Sequence, residues 1–301
     1  MIPLPDFRDN AGPVERSPQS RGHSAGDATV LALANQKGGV GKTTTAVNLG
    51  ACLAEAGFPV LLVDLDPQGN ATTGLGLDRS TVKVGTYEVL GGTPVEDAIQ
   101  STAVENLSIL PSTIDLAGAE VELVSAFARE TKLRGGLASI RDRFAFILID
   151  SPPSLGLLTV NALAASDKVL VPIQCEYYAL EGLGQLIRTV ELVRDGIHPT
   201  LDVGGVVLTM FDARTKLAEQ VVGEVRAHLG EKVFATIIPR SVRLSEAPGF
   251  GQPIIEYDGG SRASGAYRDL AREVIARFRD PAPSGEPPLR QDIPPSEGAH
   301  R

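Results

Sequence analysis

The sequence predicts an α/β fold, a doubly wound, mostly parallel sheet with helices on both faces. Three observations carry this expectation. Short, nearly unbroken apolar runs recur along residues 28–280, separated by stretches of helix length. Strands that are apolar throughout, without alternation, are what a parallel sheet covered on both faces requires. The first run leads into a glycine-rich loop and a helix, and two later runs end in aspartate. Ligands of such sheets bind at the carboxyl ends of the strands.

In chain order the strands are expected at Thr29–Ala34, Pro59–Val63, Leu107–Leu110, Phe144–Ile149, Lys168–Val171, Val203–Thr209 and Val233–Ile238. Thr43–Ala56 and Leu180–Arg194 are helix-length connections between them. In Gly265–Phe278, the residues Tyr267, Leu270, Val274, Ile275 and Phe278 recur at helical spacing, which predicts packing on the core. Residues 1–27 and 281–301 hold ten of the chain's 21 prolines and cannot bury enough apolar surface to offset the entropy of ordering. They are expected to be disordered tails flanking one domain at 28–280.

The chain has 301 residues, a formal net charge of -9, 43% hydrophobic residues and no Trp. An acidic total argues against a uniformly basic surface for nucleic acid or anionic lipid. The charge is unevenly spread, however. Residues 43–202 carry 10 basic and 20 acidic side chains, whereas 203–280 carry 11 and 10, which leaves room for a local basic patch in the C-terminal third. No apolar run approaches the roughly 18 to 20 residues of a membrane helix, and the start lacks the basic and apolar regions of a signal peptide. A cytoplasmic protein is expected. Cys52 and Cys175 form no CxxC and are expected to be buried reduced thiols. His23, His198, His228 and His300 form no metal-ligand pair.

The loop after the first strand reads Asn35-Gln36-Lys37-Gly38-Gly39-Val40-Gly41-Lys42-Thr43-Thr44. Glycines let backbone N–H groups of Gly38 to Thr44 turn inward around a polyphosphate, and the helix N-terminus adds its positive end. Lys42 can reach the β and γ phosphates, and Thr43 can offer its hydroxyl to Mg²⁺. The usual pattern GxxxxGK[ST] asks for Gly at 36, where this chain has Gln, and there is a second lysine, Lys37. This stretch resembles the deviant Walker A loop of P-loop NTPases.

Three carboxylate positions follow. In Val63-Asp64-Leu65-Asp66-Pro67, Asp66 lies past the strand end and is the choice for activating the water that attacks the γ-phosphate. Asp64 is read instead as a structural carboxylate that bonds neighbouring backbone or Mg²⁺-bound water. Asp150 ends an apolar strand in the Walker B manner and presents one carboxylate to the Mg²⁺ shell through water.

With these motifs, Gln174-Cys175-Glu176-Tyr177-Tyr178-Ala179-Leu180-Glu181-Gly182 and the run from Ile238 to Pro248 closely resemble the chromosomal ParA (Soj) partition ATPases of the ParA/MinD class. The resemblance spans about Thr29 to Arg279. It implies a slow, partner-stimulated ATPase with ATP and Mg²⁺ as cofactors. Two monomers would sandwich two nucleotides, and the dimer would bind double-stranded DNA without sequence preference. A ParB-family protein would stimulate hydrolysis and release the dimer from the nucleoid, and some members also contact the replication initiator.

Carried onto this chain, the resemblance implies that Lys37 crosses the dimer interface, that Gly38 lies on the tight facing surface, and that Pro239 and Ser241 line the adenine. DNA contacts would come from Arg214 and Arg243, with Lys216 and Arg240 as further candidates. Two rivals share the nucleotide site: a MinD-like membrane-cycling ATPase, which would need an amphipathic terminal helix, and a small-molecule ATP-dependent ligase. The Tyr177-Tyr178 pair reads either as an interface element or as a packed strand-to-helix junction.

Overall fold

The computed structural model describes residues 27–176 and 179–279. The expected tails and the Tyr177-Tyr178 pair lie outside the described residues, apart from Asp27. The strands are β1 (Thr29–Leu33), β2 (Val60–Asp64), β3 (Gln100–Ser101), β4 (Leu107–Leu110), β5 (Phe146–Asp150), β6 (Lys168–Gln174), β7 (Asp202–Phe211) and β8 (Val233–Pro239), and the apolar runs supply all but β3. They make one sheet in the order β3-β4-β2-β5-β1-β6-β7-β8. Every pairing is parallel except β3 with β4. The two-residue edge strand β3 is absent from the expected set. β5 starts two residues later than its apolar run because Phe144 and Ala145 belong to the connection, where Ala145 N donates to Pro59 O at 2.8 Å.

The unbroken apolar strands feed two cores. In β1, Val30 and Ala32 pack into one cluster and Leu31 and Leu33 into the other. In β5, Ile147 and Ile149 face the first while Phe146 and Leu148 face the second. Burying one such side chain contributes roughly 1.5–3 kcal/mol, and a strand that serves two cores leaves places for polar residues only at its ends.

Helices cover both faces. They are α1 (Lys42–Glu55), α2 (Asn70–Gly74), α3 (Thr86–Gly91), α4 (Leu116–Leu123), α5 (Lys132–Leu137), α6 (Leu157–Ala165), α7 (Ala179–Gly196), α8 (Lys216–Leu229), α9 (Val242–Glu246), α10 (Ile254–Tyr257) and α11 (Arg262–Phe278). Of the 14 residues of α1, all but Thr43, Thr44 and Glu55 are buried, so this helix has almost no solvent face. It lies between the sheet and α11, which turns Tyr267, Leu270, Ala271 and Val274 inward and caps its own first turn through Ser261. The helical stripe read from the sequence is thus spent on the core. None of the described helices is long and apolar enough to cross a membrane.

Candidate functional site

The loop between β1 and α1 is held by two side chains, Asn35 just past β1 and Thr209 of β7, which also tie it to main-chain carbonyls of β6. Asn35 Nδ2 donates to Pro172 O at 2.7 Å, and Asn35 Oδ1 accepts from Lys37 N at 3.0 Å. From β7, Thr209 Oγ1 donates to Val40 O at 2.9 Å and to Ile173 O at 3.1 Å. Gly41 is the N-cap of α1 with φ of 87°, and no side chain caps the helix. The first-turn N–H groups therefore remain for a ligand, and the helix dipole favours an anion there.

Lys42 is buried, and its Nζ donates to Lys37 O at 3.4 Å. Burial lowers its pKa, opposed by the nearby charges of Asp150 and Asp66. Those aspartates and Asp64 form a carboxylate group at the ends of β2 and β5. Asp64 is wholly buried; its Oδ2 accepts from Thr72 N at 2.8 Å and Thr72 Oγ1 at 2.6 Å, and its Oδ1 accepts from Asp66 N at 3.3 Å. Burial pushes the Asp64 carboxyl up to about 6 despite these bonds. It is the structural carboxylate of the two, since every bond it makes holds backbone or Thr72.

Asp150 differs. Both of its oxygens are buried with no hydrogen-bond partner. Its pKa is raised well above the ordinary value, first by burial and then by Asp64, with Thr43 and Lys42 pulling the other way. The Thr43 hydroxyl is thus close enough to influence Asp150 without reaching hydrogen-bond geometry. Two orphaned acceptors facing a threonine hydroxyl and a lysine fit a hard, hydrated divalent cation, which takes oxygen ligands and keeps several waters. Asp66 lies past the strand, with Oδ1 accepting from Gln68 N at 2.9 Å and its main-chain oxygen accepting from Ser112 Oγ at 2.9 Å.

A cleft of about 680 Å³ opens beside the loop. Gly41, Thr43 and Thr44 form one wall, Pro239, Arg240 and Ser241 the other, and Tyr267 lies beneath. The Tyr267 hydroxyl is 3.4 Å from Thr45 Oγ1. Lys37, Gly38 and Gly39 lie on the outer side of the loop; Gly38 and Gly39 are exposed, and a Cβ at Gly38 would meet only Pro153 Cβ, at 4.0 Å.

Arg214 and Lys216 follow β7, and Arg240 and Arg243 follow β8. These adjacent ends are tied where Arg240 N donates to Phe211 O at 2.9 Å. The surface they make is of mixed sign where the charge count leaves room for a local basic patch. Arg214 is paired at two points with Asp212, at 2.9 and 2.7 Å, which holds that carboxyl well below the usual range. Arg243 pairs with Glu246 at 3.0 Å and Asp258 at 3.7 Å. Glu176 takes Lys37 at 3.6 Å on one oxygen and Arg240 at 3.7 Å on the other. Arg214 and Arg243 have acids two and three residues away, Asp212 and Glu246, whereas Arg240 takes its partner Glu176 from the end of β6.

Sequence reasoning passed over Asn35, Thr72, Ser112 and Thr209. Thr72 and Ser112 are 40 positions apart yet bonded, Ser112 N to Thr72 Oγ1 at 2.9 Å. No local spacing signals such a pair.

The comparisons with known proteins agree with this geometry. A family model described as an AAA domain matches residues 28–203. The sporulation initiation inhibitor protein Soj of Bacillus subtilis is 56% identical over 248 residues, 82% of this chain and 98% of that protein. The chromosome partitioning protein ParA of Caulobacter vibrioides is 54% identical over 260 residues, 85% of this chain and 97% of that one. Among solved structures, one named cobyrinic acid a,c-diamide synthase from Mycobacterium smegmatis, with bound ATP analogue and magnesium, superposes with a TM-score of 0.74 at 40% identity, covering 83% of this chain and 96% of that one. The loop with two lysines, the buried Asp150 and identity that runs the length of a Soj and a ParA make this chain a member of the ParA/Soj family of chromosome-partitioning ATPases.

Proposed function

We propose that the chain binds ATP with Mg²⁺, closes as a two-fold dimer over two nucleotides, and in that state holds double-stranded DNA without sequence preference. Hydrolysis of ATP to ADP and phosphate is slow alone and is stimulated by a ParB-family partner, which returns the protein from the nucleoid to the cytoplasm. The observation that carries the reading is Asp150, whose two buried, unpartnered oxygens stand behind Thr43 and Lys42 at the open N-terminus of α1.

In this reading the N–H groups of Gly38 to Thr44 and the Lys42 ammonium hold the phosphates. Thr43 directly, and Asp150 through water, hold Mg²⁺, which when bound neutralises phosphate charge. Asp66 orients the attacking water, and Pro239 and Ser241 flank the adenine. Lys37, held on the outer lip by Glu176 in the monomer, reaches the partner's phosphates only on closure. A cation that arrives with assembly couples γ-phosphate charge to dimer formation. Gly38 is exposed with room for a side chain in the monomer, so any constraint on it arises in the dimer. Exposed apolar side chains on and around α4, Ile114, Val121, Val124 and Phe127, offer further surface for association.

Arg214 and Arg243, with Lys216 and Arg240, contact DNA phosphates after giving up their carboxylate partners. Surface pairs of this kind contribute only about 0–1 kcal/mol, so phosphates displace them at little cost. The deciding experiment is size-exclusion chromatography with saturating ATP and Mg²⁺, followed by DNA retention. Asp66→Ala should accumulate as a DNA-bound dimer and Lys42→Ala should remain a monomer; a monomeric Asp66→Ala, or a dimeric Lys42→Ala, contradicts the reading.

One observation favours a second reading, a small-molecule ligase: the solved structures at 39–40% identity bear a diamide synthase name. Partition relatives are more similar, at 54–56%. ATPase stimulation by a carboxylate substrate, with none by DNA and a ParB-type protein, would reverse the order. Membrane cycling is disfavoured because the apolar face of α11 packs against α1 and β8.

A further inference from the structure

Arg79 belongs to none of the motifs described above, yet its guanidinium ties together two loops at the carboxyl ends of the adjacent strands β2 and β4. Nη1 donates to Gln68 O at 2.7 Å, Nη2 to Pro67 O at 2.8 Å and Thr113 O at 3.0 Å, and Nε to Ser112 O at 3.2 Å. All four acceptors are main-chain carbonyls. Pro67 and Gln68 directly follow Asp66, and Gln68 N is the donor to Asp66 Oδ1. On the other loop, Ser112 Oγ donates to Asp66 O. The two segments that Arg79 grips are therefore the two that hold Asp66 from either side.

Gly69 makes the grip possible. Its φ of 64° is left-handed, and a Cβ at this position would lie 2.2 Å from Arg79 Nε. The guanidinium occupies the space that a side chain at 69 would need. Charge-assisted bonds from a planar fork are stronger and more directional than neutral ones, and an ammonium on a flexible stem cannot reach all four carbonyls.

We propose that Arg79 is a positioning residue for Asp66: it fixes the loop so that the carboxylate keeps the place from which it acts on water. The inference rests on the reading of Asp66 given above. Small displacements of a reacting group are expensive, since a shift of about 1 Å can lower a rate by roughly 100-fold.

The test compares full-length wild type, Arg79→Ala, Arg79→Lys and Asp66→Ala for affinity toward a fluorescent ATP analogue and for steady-state ATP turnover. Arg79→Ala is expected to bind ATP within about twofold of wild type and to lose on the order of tenfold to 100-fold in kcat. Millimolar guanidinium ion should restore much of the Arg79→Ala rate and none of the Asp66→Ala rate. Should Arg79→Ala lose ATP binding, Arg79→Lys carries the same comparison, with slow turnover at normal affinity expected. Loss of ATP binding in both, full turnover in Arg79→Ala beside an inactive Asp66→Ala, or a rate loss that guanidinium leaves untouched would each overturn the role of Arg79. Full turnover in Asp66→Ala would instead overturn the reading of Asp66 itself.

Discussion

Asp64 and Asp150 are direct partners across the β2–β5 ladder, and both carboxylates are fully buried. Asp64 spends its oxygens on Thr72 and the backbone, whereas Asp150 spends neither. Placing two acids side by side in a dry interior opposes folding unless a cation or a proton joins them.

The first prediction concerns pH. The Asp64 carboxyl is raised from 3.8 to about 6 in the folded chain. An acid raised on folding contributes stability that is fully present below its unfolded value and is lost as pH rises through the folded value. At pH 7.5 without nucleotide or Mg²⁺, Asp64→Asn, which keeps an acceptor for Thr72, should therefore be more stable than wild type by roughly 3 kcal/mol. The difference should shrink towards pH 5. Calorimetric melting at both pH values checks this; a gap that widens on acidification contradicts it.

The second contrasts two glycines of the loop. Gly38→Val should leave the monomer's melting temperature and ATP affinity near wild type, because nothing crowds a Cβ there, while abolishing the ATP dimer. Gly41→Ala should lower stability by about 1 kcal/mol or more, because φ of 87° strains any L side chain. Melting curves read beside chromatography with ATP separate the two effects.

The third concerns the mixed-sign edge beyond β7 and β8 that is proposed to meet DNA. Arg214→Glu and Arg243→Glu should remove DNA retention with ATP binding intact. Asp212→Asn should strengthen retention, since it frees the 86% exposed Arg214 from its two-point partner. Retention on immobilised duplex across a salt series gives the comparison, and an Asp212→Asn protein no tighter than wild type would show that the pair does not compete with phosphate.

The fourth is chemical. Burial pushes the Cys52 thiol up to about 12 and Cys175 to about 11. Because the thiolate is the nucleophile, neither should react measurably with iodoacetamide at pH 8 in the folded protein, and both should react in denaturant. Mass spectrometry of the intact chain counts the adducts.

Much of this fold was legible in the sequence because its strands are buried on both faces and so appear as unbroken apolar runs. The same holds for the phosphate loop, whose glycines and lysines are contiguous. The two-residue β3 lacks any pattern long enough to read. The supports of Asp66 were hidden for a different reason: Arg79 reaches Ser112 and Thr113, 33 and 34 residues away, through carbonyls that every residue possesses. An interaction whose acceptors are main chain leaves a mark in the sequence only at its donor. The pairing of Arg214 was open to inspection, since Asp212 is two residues away, but a regional charge count averages such neighbours away.

The encasement of α1 has a consequence for how the proposed nucleotide and DNA contacts respond to ionic strength. A helix enclosed by sheet and α11 would hold a phosphate by its uncapped first-turn N–H groups at contact distance, well inside a Debye length and beside a low-dielectric interior, where salt screens little. The arginines beyond β7 and β8 stand in water, where ions screen them and compete for phosphate. Raising salt should therefore strip the protein from DNA while its nucleotide stays bound, so that ionic strength alone separates the loaded switch from its track.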